Sequence, residues 1–431
     1  MQSQSNKNIK IAFFHLAYLY SGGGEKLALK EISFLKSQGY QVDCFASLVD
    51  INECFPDIIK KHNIKEIFPN FTKIFRNKPE IGIILTCLLF PFIALNYKKY
   101  DLVFGANQPS PYFGLILKLF FKTPYITYLA QPTRIIYPRP IDKKQGLIIK
   151  NKLKLLPHII NIFRPLFFWI DLKSITYSDT FLCNGEYMQD ILSQIYGKTP
   201  TVCSAGASTK SYKLAFQSNK LINFRFRNIL ISQPFLFVSN RHFPHKKLEH
   251  AFDVLDKMQL KMPLLISGEP TTYTDKLKEL VTFYKLNNYI HFLGYVTEKE
   301  LDRLYKHCFV YLYTAPEEDF GMGIIEAMGY SKPVIAWDNA GPSKIIHNKI
   351  DGFLVKNEDT AQMSQIIEQL QKDYLLYSQI SNNAHNSIIE KYSWKNHFSI
   401  LEQNIQKITQ SHSKVEIPTI NRNPNLLDTI N

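Results

Sequence analysis

The strongest constraint on the fold is a series of short apolar runs, separated by amphipathic helical patterns, that occurs twice along the chain. In the first half the runs are "IKIAFFHL", "YQVDCFAS", "YDLVFGAN", "PYITYLAQ" and "TFLCN". The second half repeats the arrangement with "FLFVSN", "PLLISGE", "YIHFLGY", "FVYLYTAP", "PVIAWD" and "GFLV". Strands that alternate with helices build parallel sheets. We therefore predict an α/β chain with two Rossmann-like domains that face a central cleft.

The point where the pattern restarts sets the domain boundaries. With 431 residues, the chain is long enough for two such domains. The restart lies around residues 220–234, so we predict an N-terminal domain over 1–228 and a second domain over 229–410. We expect the last helix to cross back to the first domain, and the polar tail over 411–431 to be flexible. Ligands of tandem units of this kind usually bind between the carboxyl-terminal edges of the two sheets.

Charge and cysteine content narrow the class of protein. The net charge of +14 is uneven: residues 1–200 hold 25 basic and 14 acidic side chains, a net +11, and the remainder carries +3. The first half therefore faces an anionic partner or is simply well solvated. The six cysteines are scattered without a CxxC pair. This argues for a reducing compartment and against a disulfide framework or a zinc site.

Two apolar segments raise the question of a membrane. Residues 143–173 hold seven basic side chains against one acid, interleaved with large apolar residues. This composition suits an anionic bilayer surface, with Lys150, Lys152, Lys154 and Trp169 as contacts; a core helix pair with a wet cationic face is the alternative. Nucleic acid is a less favoured partner, because the basic residues are interleaved with large aliphatic residues rather than with exposed polar groups. The run "IGIILTCLLFPFIALN" (81–96) is shorter than the roughly 20 residues of a membrane helix, so we predict a buried helix.

A glycine-rich loop follows the first predicted strand. In "SGGGEKLALKEISF", Gly23 and Gly24 open a helix directly after that strand. Glycine is favoured where side chains would obstruct a close approach, and a helix N-terminus attracts anions. A phosphate site and a tight turn without a ligand explain these residues equally well.

A pair of glutamates marks the second domain. Glu318 and Glu326 are separated by seven residues, and "DFGMGI" between them turns from a strand end into a helix. Glu318 should lie in the loop and Glu326 about one turn into the helix. Two carboxylates can accept hydrogen bonds from the paired hydroxyls of a sugar and a ribose. The backbone N–H groups between them suit a phosphate, which Gly321 and Gly323 allow to come close.

Two basic residues that could complete a diphosphate site lie before the glutamates in the sequence. "FVSNRHFPHKKLEHAF" places Arg241 at a strand end and Lys246 five residues further, at a helix start. Arginine binds phosphate bidentately and lysine binds it as a point charge. No DxD pair stands out. We therefore expect these side chains, rather than a metal or a cofactor, to neutralise a leaving diphosphate.

These motifs together resemble glycosyltransferase family 4, whose members are retaining enzymes of GT-B fold. The resemblance rests on "EEDFGMGIIEAM" followed by "KPVIA", and "GGGEK", "NRHFPHK" and "IHFLGYVTEKELDRLYKHC" extend it over nearly the whole chain. "YLAQPTRIIY" (128–137) is similar to a stretch of bacterial mannosyltransferases that build O-antigen and related glycans. Two positions depart from the pattern. Ala130 stands where a histidine is usual, which puts mannose as the donor sugar in doubt, and Ser331 stands where the family usually has glycine.

The resemblance implies a role for each matching residue. Arg241 and Lys246 would hold the donor diphosphate and Glu318 the donor sugar, and these three form the predicted catalytic set. The predicted donor-binding residues are Glu326 at the ribose with Phe320, Gly321, Met322, Gly323, Ile324, Gly23 and Gly24. Gln131 and Arg134 would bind the acceptor.

The implied activity is retaining transfer of a hexose, mannose among the candidates, from a nucleotide-diphosphate sugar to a hydroxyl of a lipid-linked or glycan acceptor. This would serve cell-surface polysaccharide synthesis, such as that of lipopolysaccharide, by a cytoplasmic protein on the inner face of a membrane. GDP and UDP are both open as the nucleotide.

Two other functions stay open. A nicotinamide-dependent oxidoreductase shares these fold units, although Leu27 occupies the third glycine position of its dinucleotide fingerprint. A membrane-associated glycan-binding scaffold with a dead site is the other, and the complete set of two carboxylates and two cations argues against it.

Overall fold

The computed structural model describes residues 9–134, 136–144, 163–208 and 224–413. The predicted membrane contacts Lys150, Lys152 and Lys154 lie outside the described residues, as does most of the predicted tail, residues 414–431.

The first domain is built on a seven-stranded sheet in the order β3-β2-β1-β4-β5-β6-β7. All six pairings in this sheet are parallel. The strands are β1 (Lys10–Tyr18), β2 (Gln41–Val49), β3 (Lys65–Glu66), β4 (Leu102–Ala106), β5 (Tyr125–Leu129), β6 (Thr180–Cys183) and β7 (Thr201–Val202). The helices are α1 (Gly23–Ser37), α2 (Pro56–His62), α3 (Phe71–Phe75), α4 (Pro79–Ile93), a 3₁₀ turn (Ala94–Tyr97), α5 (Ser110–Phe121), α6 (Pro140–Lys144), α7 (Arg164–Thr176) and α8 (Glu186–Tyr196).

The second domain repeats this plan with six parallel strands in the order β12-β11-β10-β13-β14-β15. Its strands are β10 (Leu236–Ser239), β11 (Leu264–Ser267), β12 (Ile290–Gly294), β13 (Val310–Tyr313), β14 (Val334–Trp337) and β15 (Phe353–Val355). Its helices are a 3₁₀ turn (Pro244–Lys246), α9 (Glu249–Lys257), α10 (Tyr273–Phe283), α11 (Glu298–His307), α12 (Met322–Gly329), α13 (Pro342–Ile345), α14 (Thr360–Lys372), α15 (Tyr374–Lys391) and α16 (Trp394–Ser413). An antiparallel hairpin, β8 (Phe224–Phe226) with β9 (Ile229–Ile231), lies at the predicted boundary.

The sequence dictates this layout through buried strands and capped helices. In β1 the side chains from Ile11 to Phe14 are fully buried, as expected for a parallel strand covered on both faces. Helix α11 begins at a capping box: Thr297 Oγ1 accepts from the Glu300 backbone N–H, and a Glu300 carboxylate oxygen accepts from the Thr297 backbone N–H. The prediction of an α/β fold with two parallel-sheet domains is confirmed.

The last helix contacts the first domain. The rings of Phe398 on α16 and Phe34 on α1 stack with centroids 4.1 Å apart. Next to them His397 Nε2 lies 3.3 Å from Glu31 Oε1, and both side chains are almost fully buried. The chain therefore ends its described part packed on α1 rather than on its own domain.

The prediction of a buried helix over residues 81–96 is wrong for one face of that helix. On one side of α4, Phe90 packs between Phe14 and Phe113. On the other side Phe92 is 85% exposed, and Leu95 in the following turn is 70% exposed. Of the described helices, the continuous run Pro79–Tyr97 is the one long and apolar enough to cross a membrane by length and composition, contrary to the expectation from the shorter run.

Candidate active site

The loop between β13 and α12 carries the two glutamates of the motif. Glu318 lies in the loop, and Glu326 lies just over one turn into α12, as the sequence predicts. Gly321 precedes the helix with φ +102°, a conformation that favours glycine. At Gly323 an added Cβ would lie 2.2 Å from the Tyr311 hydroxyl oxygen, so only glycine fits there. These two glycines let α12 start against the sheet.

Glu318 is paired with a lysine of its own domain. Lys246, at the end of the 3₁₀ turn after β10, places Nζ 2.5 Å from Glu318 Oε2. Burial alone would raise the pKa of Glu318, but the Lys246 ammonium outweighs it and lowers that pKa to about 2. The carboxylate is therefore ionised at neutral pH, and the stability it contributes is lost only as the pH falls from about 4.5 through about 2.

Glu326 is paired with a lysine of the other domain. Lys26, in the first turn of α1, places Nζ 2.7 Å from Glu326 Oε1 and 2.7 Å from Glu298 Oε2. The Tyr305 hydroxyl donates to the second oxygen of Glu326 at 3.0 Å. The carboxylate predicted to bind ribose thus already has a partner on each oxygen.

Arg241 lies at the same edge of the sheet. Its guanidinium stacks on the rings of Tyr20 and Phe243, at 4.2 and 4.6 Å from their centroids, and its Nε is 3.3 Å from Glu269 Oε2. Tyr20 belongs to the first domain, immediately before the glycine-rich loop. Stacking on two aromatic faces fixes the guanidinium plane and leaves its edge available for an anion.

The glycine-rich loop faces the start of α12 across the cleft. A Cβ built on Gly23 would lie 3.3 Å from Met322 Cγ, and one on Gly24 would lie 3.6 Å from Asn107 Nδ2. Two helix N-termini from different domains therefore meet here, each begun by glycine. Such an arrangement concentrates backbone N–H groups and positive dipole ends at one place.

Two of the predicted donor-binding residues are core residues in this geometry. Ile324 is fully buried, and its backbone N–H donates to the Gly321 carbonyl oxygen at 3.0 Å. Phe320 is 5% exposed and packs on Tyr392 and against Gly185. The structure offers a ligand neither of these side chains.

The predicted acceptor residues differ from each other. Gln131 is exposed. Arg134 forms an ion pair with Asp319, next to Glu318, and so joins the two domains. Arg139 adds a second link, because its Nη1 donates to the Glu317 carbonyl oxygen at 3.0 Å.

Sequence reasoning missed four residues of this site: Lys26, Arg139, Tyr305 and Asp319. One of them had a signal. Lys26 is a basic residue in the first turn of a helix, where the dipole disfavours positive charge unless an acid is close. Arg139 and Asp319 meet their cross-domain partners over 178 and 185 positions of the chain, and Tyr305 meets Glu326 from another helix of the same domain. Among the described residues, no group of three or more His, Cys, Asp or Glu side chains is placed to hold a metal ion.

Comparisons with known proteins agree with this fold. Residues 222–387 match the family described as Glycosyl transferases group 1. Alpha-1,3/1,6-mannosyltransferase ALG2 of Dictyostelium discoideum is 24% identical over 91% of this chain and 96% of its own length. A probable sucrose-phosphate synthase of Thermosipho melanesiensis is 29% identical over 37% of this chain, but the match spans only 38% of that protein.

Solved structures extend the agreement to the whole chain. Anabaena HepE, in complex with UDP and glucose, has a TM-score of 0.67 at 17% identity, covering 94% of this chain and all of the other. Sucrose-phosphate synthase from Thermosynechococcus elongatus has a TM-score of 0.71 at 16% identity, with the same coverage. At these identities the likeness establishes the fold.

The two parallel-sheet domains have the GT-B fold of these solved structures. The group 1 domain and the mannosyltransferase relatives identify the chain as a glycosyltransferase. More particularly, residues 222–387 are a glycosyl transferases group 1 domain, which agrees with the resemblance to glycosyltransferase family 4. The domain match and the relatives therefore favour glycosyl transfer over the alternative of a nicotinamide-dependent oxidoreductase.

Proposed function

We propose that the protein is a retaining hexosyltransferase that uses a nucleotide-diphosphate sugar. The observation that carries this proposal is the convergence of Arg241, Lys246 and Glu318 with the glycine-begun N-termini of α1 and α12 at one edge of the cleft. A nucleotide-diphosphate sugar carries groups that suit each of these: its diphosphate suits the cations and the helix N-termini, and its sugar hydroxyls suit the carboxylate.

The chemistry follows from charge. Cleavage of the anomeric bond builds positive charge on the sugar and negative charge on the diphosphate. The cations and the helix N-termini are held in place before the reaction, which is the usual source of the largest catalytic effect. They, rather than a divalent metal, balance the leaving group in this proposal, so turnover should persist in EDTA. The acceptor hydroxyl attacks from the face that the diphosphate leaves.

The relatives suggest two donors. ALG2 of Dictyostelium is named a mannosyltransferase, and the HepE structure contains UDP and glucose. A turnover assay with UDP-glucose, UDP-galactose, UDP-N-acetylglucosamine and GDP-mannose separates them, with a lipid-linked sugar as acceptor. Release of a nucleoside diphosphate with formation of a glycoside supports the proposal. A protein that binds these donors but transfers no sugar to any acceptor would be the non-catalytic scaffold instead.

The acceptor, in this proposal, is a lipid-linked glycan reached at the inner face of a membrane. The support is a patch of exposed apolar residues on the first domain: Leu88, Leu89, Phe92, Leu95, Leu119 and Phe120. Three exposed lysines border it, Lys98, Lys99 and Lys122, and Lys98 Nζ lies 6.0 Å from the Phe121 ring centroid. On α7 the predicted contact Trp169 is 55% exposed, beside Leu166. Apolar groups with a basic border suit the headgroup region of an anionic bilayer.

Vesicle co-sedimentation tests this placement. Phe92→Ser with Leu95→Ser should release the protein from vesicles that contain anionic lipid. Phe283→Ser with Leu375→Ser removes residues of similar exposure (78% and 80%) from the second domain and should not. Replacement of three lysines by glutamate should also weaken binding to the anionic vesicles; the lysines are Lys150, Lys152 and Lys154. If the wild type ignores anionic vesicles at low salt, the acceptor is soluble.

A further inference from the structure

The contact between Lys26 and Glu326 joins the two domains at the carboxylate that the donor nucleotide needs. Lys26 Nζ lies 2.7 Å from Glu326 Oε1, and the two side chains are only 18% and 16% exposed. A second carboxylate, Glu298, lies at the same distance from the ammonium. The surrounding acids raise the pKa of Lys26 despite its burial, so this ammonium is charged at neutral pH.

The space around this contact is closed. A Cβ added to Gly23 would lie 3.3 Å from Met322 Cγ, closer than an ordinary contact, so the two helix starts that should receive the diphosphate leave no room between them for a larger side chain. Further along the cleft, Asp319 and Phe320 meet Gly185 and Tyr187 around a cavity of only about 10 Å³. That volume suits at most one water molecule. A ligand that reaches Glu326 Oε1 therefore has to displace the Lys26 ammonium.

We propose that Lys26 is an interdomain latch that holds the empty cleft shut by occupying Glu326. The proposal rests on the proposed function, because it assumes that Glu326 receives the ribose. A ribose hydroxyl donates to a carboxylate oxygen as an ammonium does, so the two compete for Oε1. Donor binding then exchanges the Lys26 ion pair for ribose hydrogen bonds, and the cleft closes again around the ligand. The other two cross-domain links, Arg134 with Asp319 and Arg139 with Glu317, do not involve Glu326.

The latch predicts that removal of the ammonium tightens nucleotide binding. A protein whose binding-competent state is partly populated loses apparent affinity in proportion to that population. Lys26→Met keeps the length of the side chain and removes its charge. It should lower the Kd for UDP or GDP, whichever the wild type binds, by about 3- to 10-fold. Lys30→Met, one turn further on the same helix and exposed, is the matched control and should leave the Kd unchanged.

Isothermal titration calorimetry measures these affinities, and amide hydrogen exchange of the ligand-free protein gives a second readout. In Lys26→Met the first turn of α1 should exchange faster than in the wild type and in Lys30→Met. A Kd that is unchanged or raised in Lys26→Met means that Lys26 does not compete with the nucleotide, and it overturns the latch. If the wild type binds none of UDP, GDP and ADP, the proposed function fails, and the exchange experiment alone decides the latch: unchanged exchange refutes it.

Discussion

The two domains contribute to the cleft in different ways. The second domain assembles Lys246 and Glu318 within its own fold, after neighbouring strands. Arg241 pairs with Glu269 of the same domain but also stacks on Tyr20 of the first. The first domain reaches the same cleft through Lys26 and Arg134, and each pairs with an acid of the other domain. The Lys246–Glu318 pair thus lies within one domain, whereas the ion pairs of Lys26 and Arg134 depend on how the two domains meet.

The largest effect is expected where a buried charge pair holds α16 on the first domain. His397 on α16 lies against Glu31 on α1, and loss of one member of a buried pair costs about 3–5 kcal/mol. His397→Ala should lower the free energy of unfolding by that amount in chemical denaturation, with Lys407→Ala, exposed on the same helix, as control. A loss below about 1 kcal/mol would show that this pair is not needed to hold α16 on the first domain.

The cations of the second domain should matter chiefly for turnover. Arg241→Ala and Lys246→Ala should each lower kcat by about 10²–10³, because each removes a group that stabilises the leaving charge. Circular dichroism should report an intact fold, and Lys278→Ala, exposed on the same domain, should keep its activity. Near-normal turnover in both variants would refute the diphosphate clamp.

The two glutamates allow a sharper comparison inside the site. Glu326→Ala should weaken the binding of a nucleoside diphosphate about tenfold, because the free nucleotide carries the ribose. A tenfold rise in Kd is a loss of about 1.4 kcal/mol of binding free energy. Glu318→Ala should mainly reduce turnover, because the free nucleotide lacks the sugar. Calorimetry with UDP and GDP measures both, and an equal loss of affinity would reverse the assigned roles.

The smallest effect concerns the departure at Ser331. This residue has φ +56°, in the left-handed region, which costs a residue other than glycine about 1–2 kcal/mol. Ser331→Gly relieves this strain, but glycine loses about 0.5–1 kcal/mol more in conformational freedom. We expect a net gain of under about 1 kcal/mol in thermal unfolding, with unchanged activity. A lower midpoint would mean that the serine side chain contributes something the glycine cannot replace.

The sequence predicts those parts of the molecule whose interactions are short in range along the chain. Alternating strands and helices predicted both sheets, and the spacing from Glu318 to Glu326 predicted a loop and the first turn of a helix. Both follow from residues within one strand–helix unit.

The parts that the sequence did not predict depend on distant residues. Lys26 and Glu326 are 300 positions apart, so their contact follows from the packing of the two domains and has no local pattern. The prediction of a buried helix over residues 81–96 was wrong for another reason. The run is apolar on all sides, so it contains no periodicity to separate the face of Phe90, which is buried, from that of Phe92, which is exposed.

The chain passes between the domains at two points that lie side by side. Ala207, leaving the first domain, forms an isolated parallel bridge with Ser393, and its N–H donates to the Tyr392 carbonyl oxygen at 2.8 Å. A Cβ on Gly206 would lie 2.3 Å from the Trp394 nitrogen, so the two segments touch backbone to backbone. These two segments, one from the end of the first domain and one from the end of the second, are thus tied together at one place. Any movement of one domain against the other would pivot at this tether, with α16 on the side of the first domain.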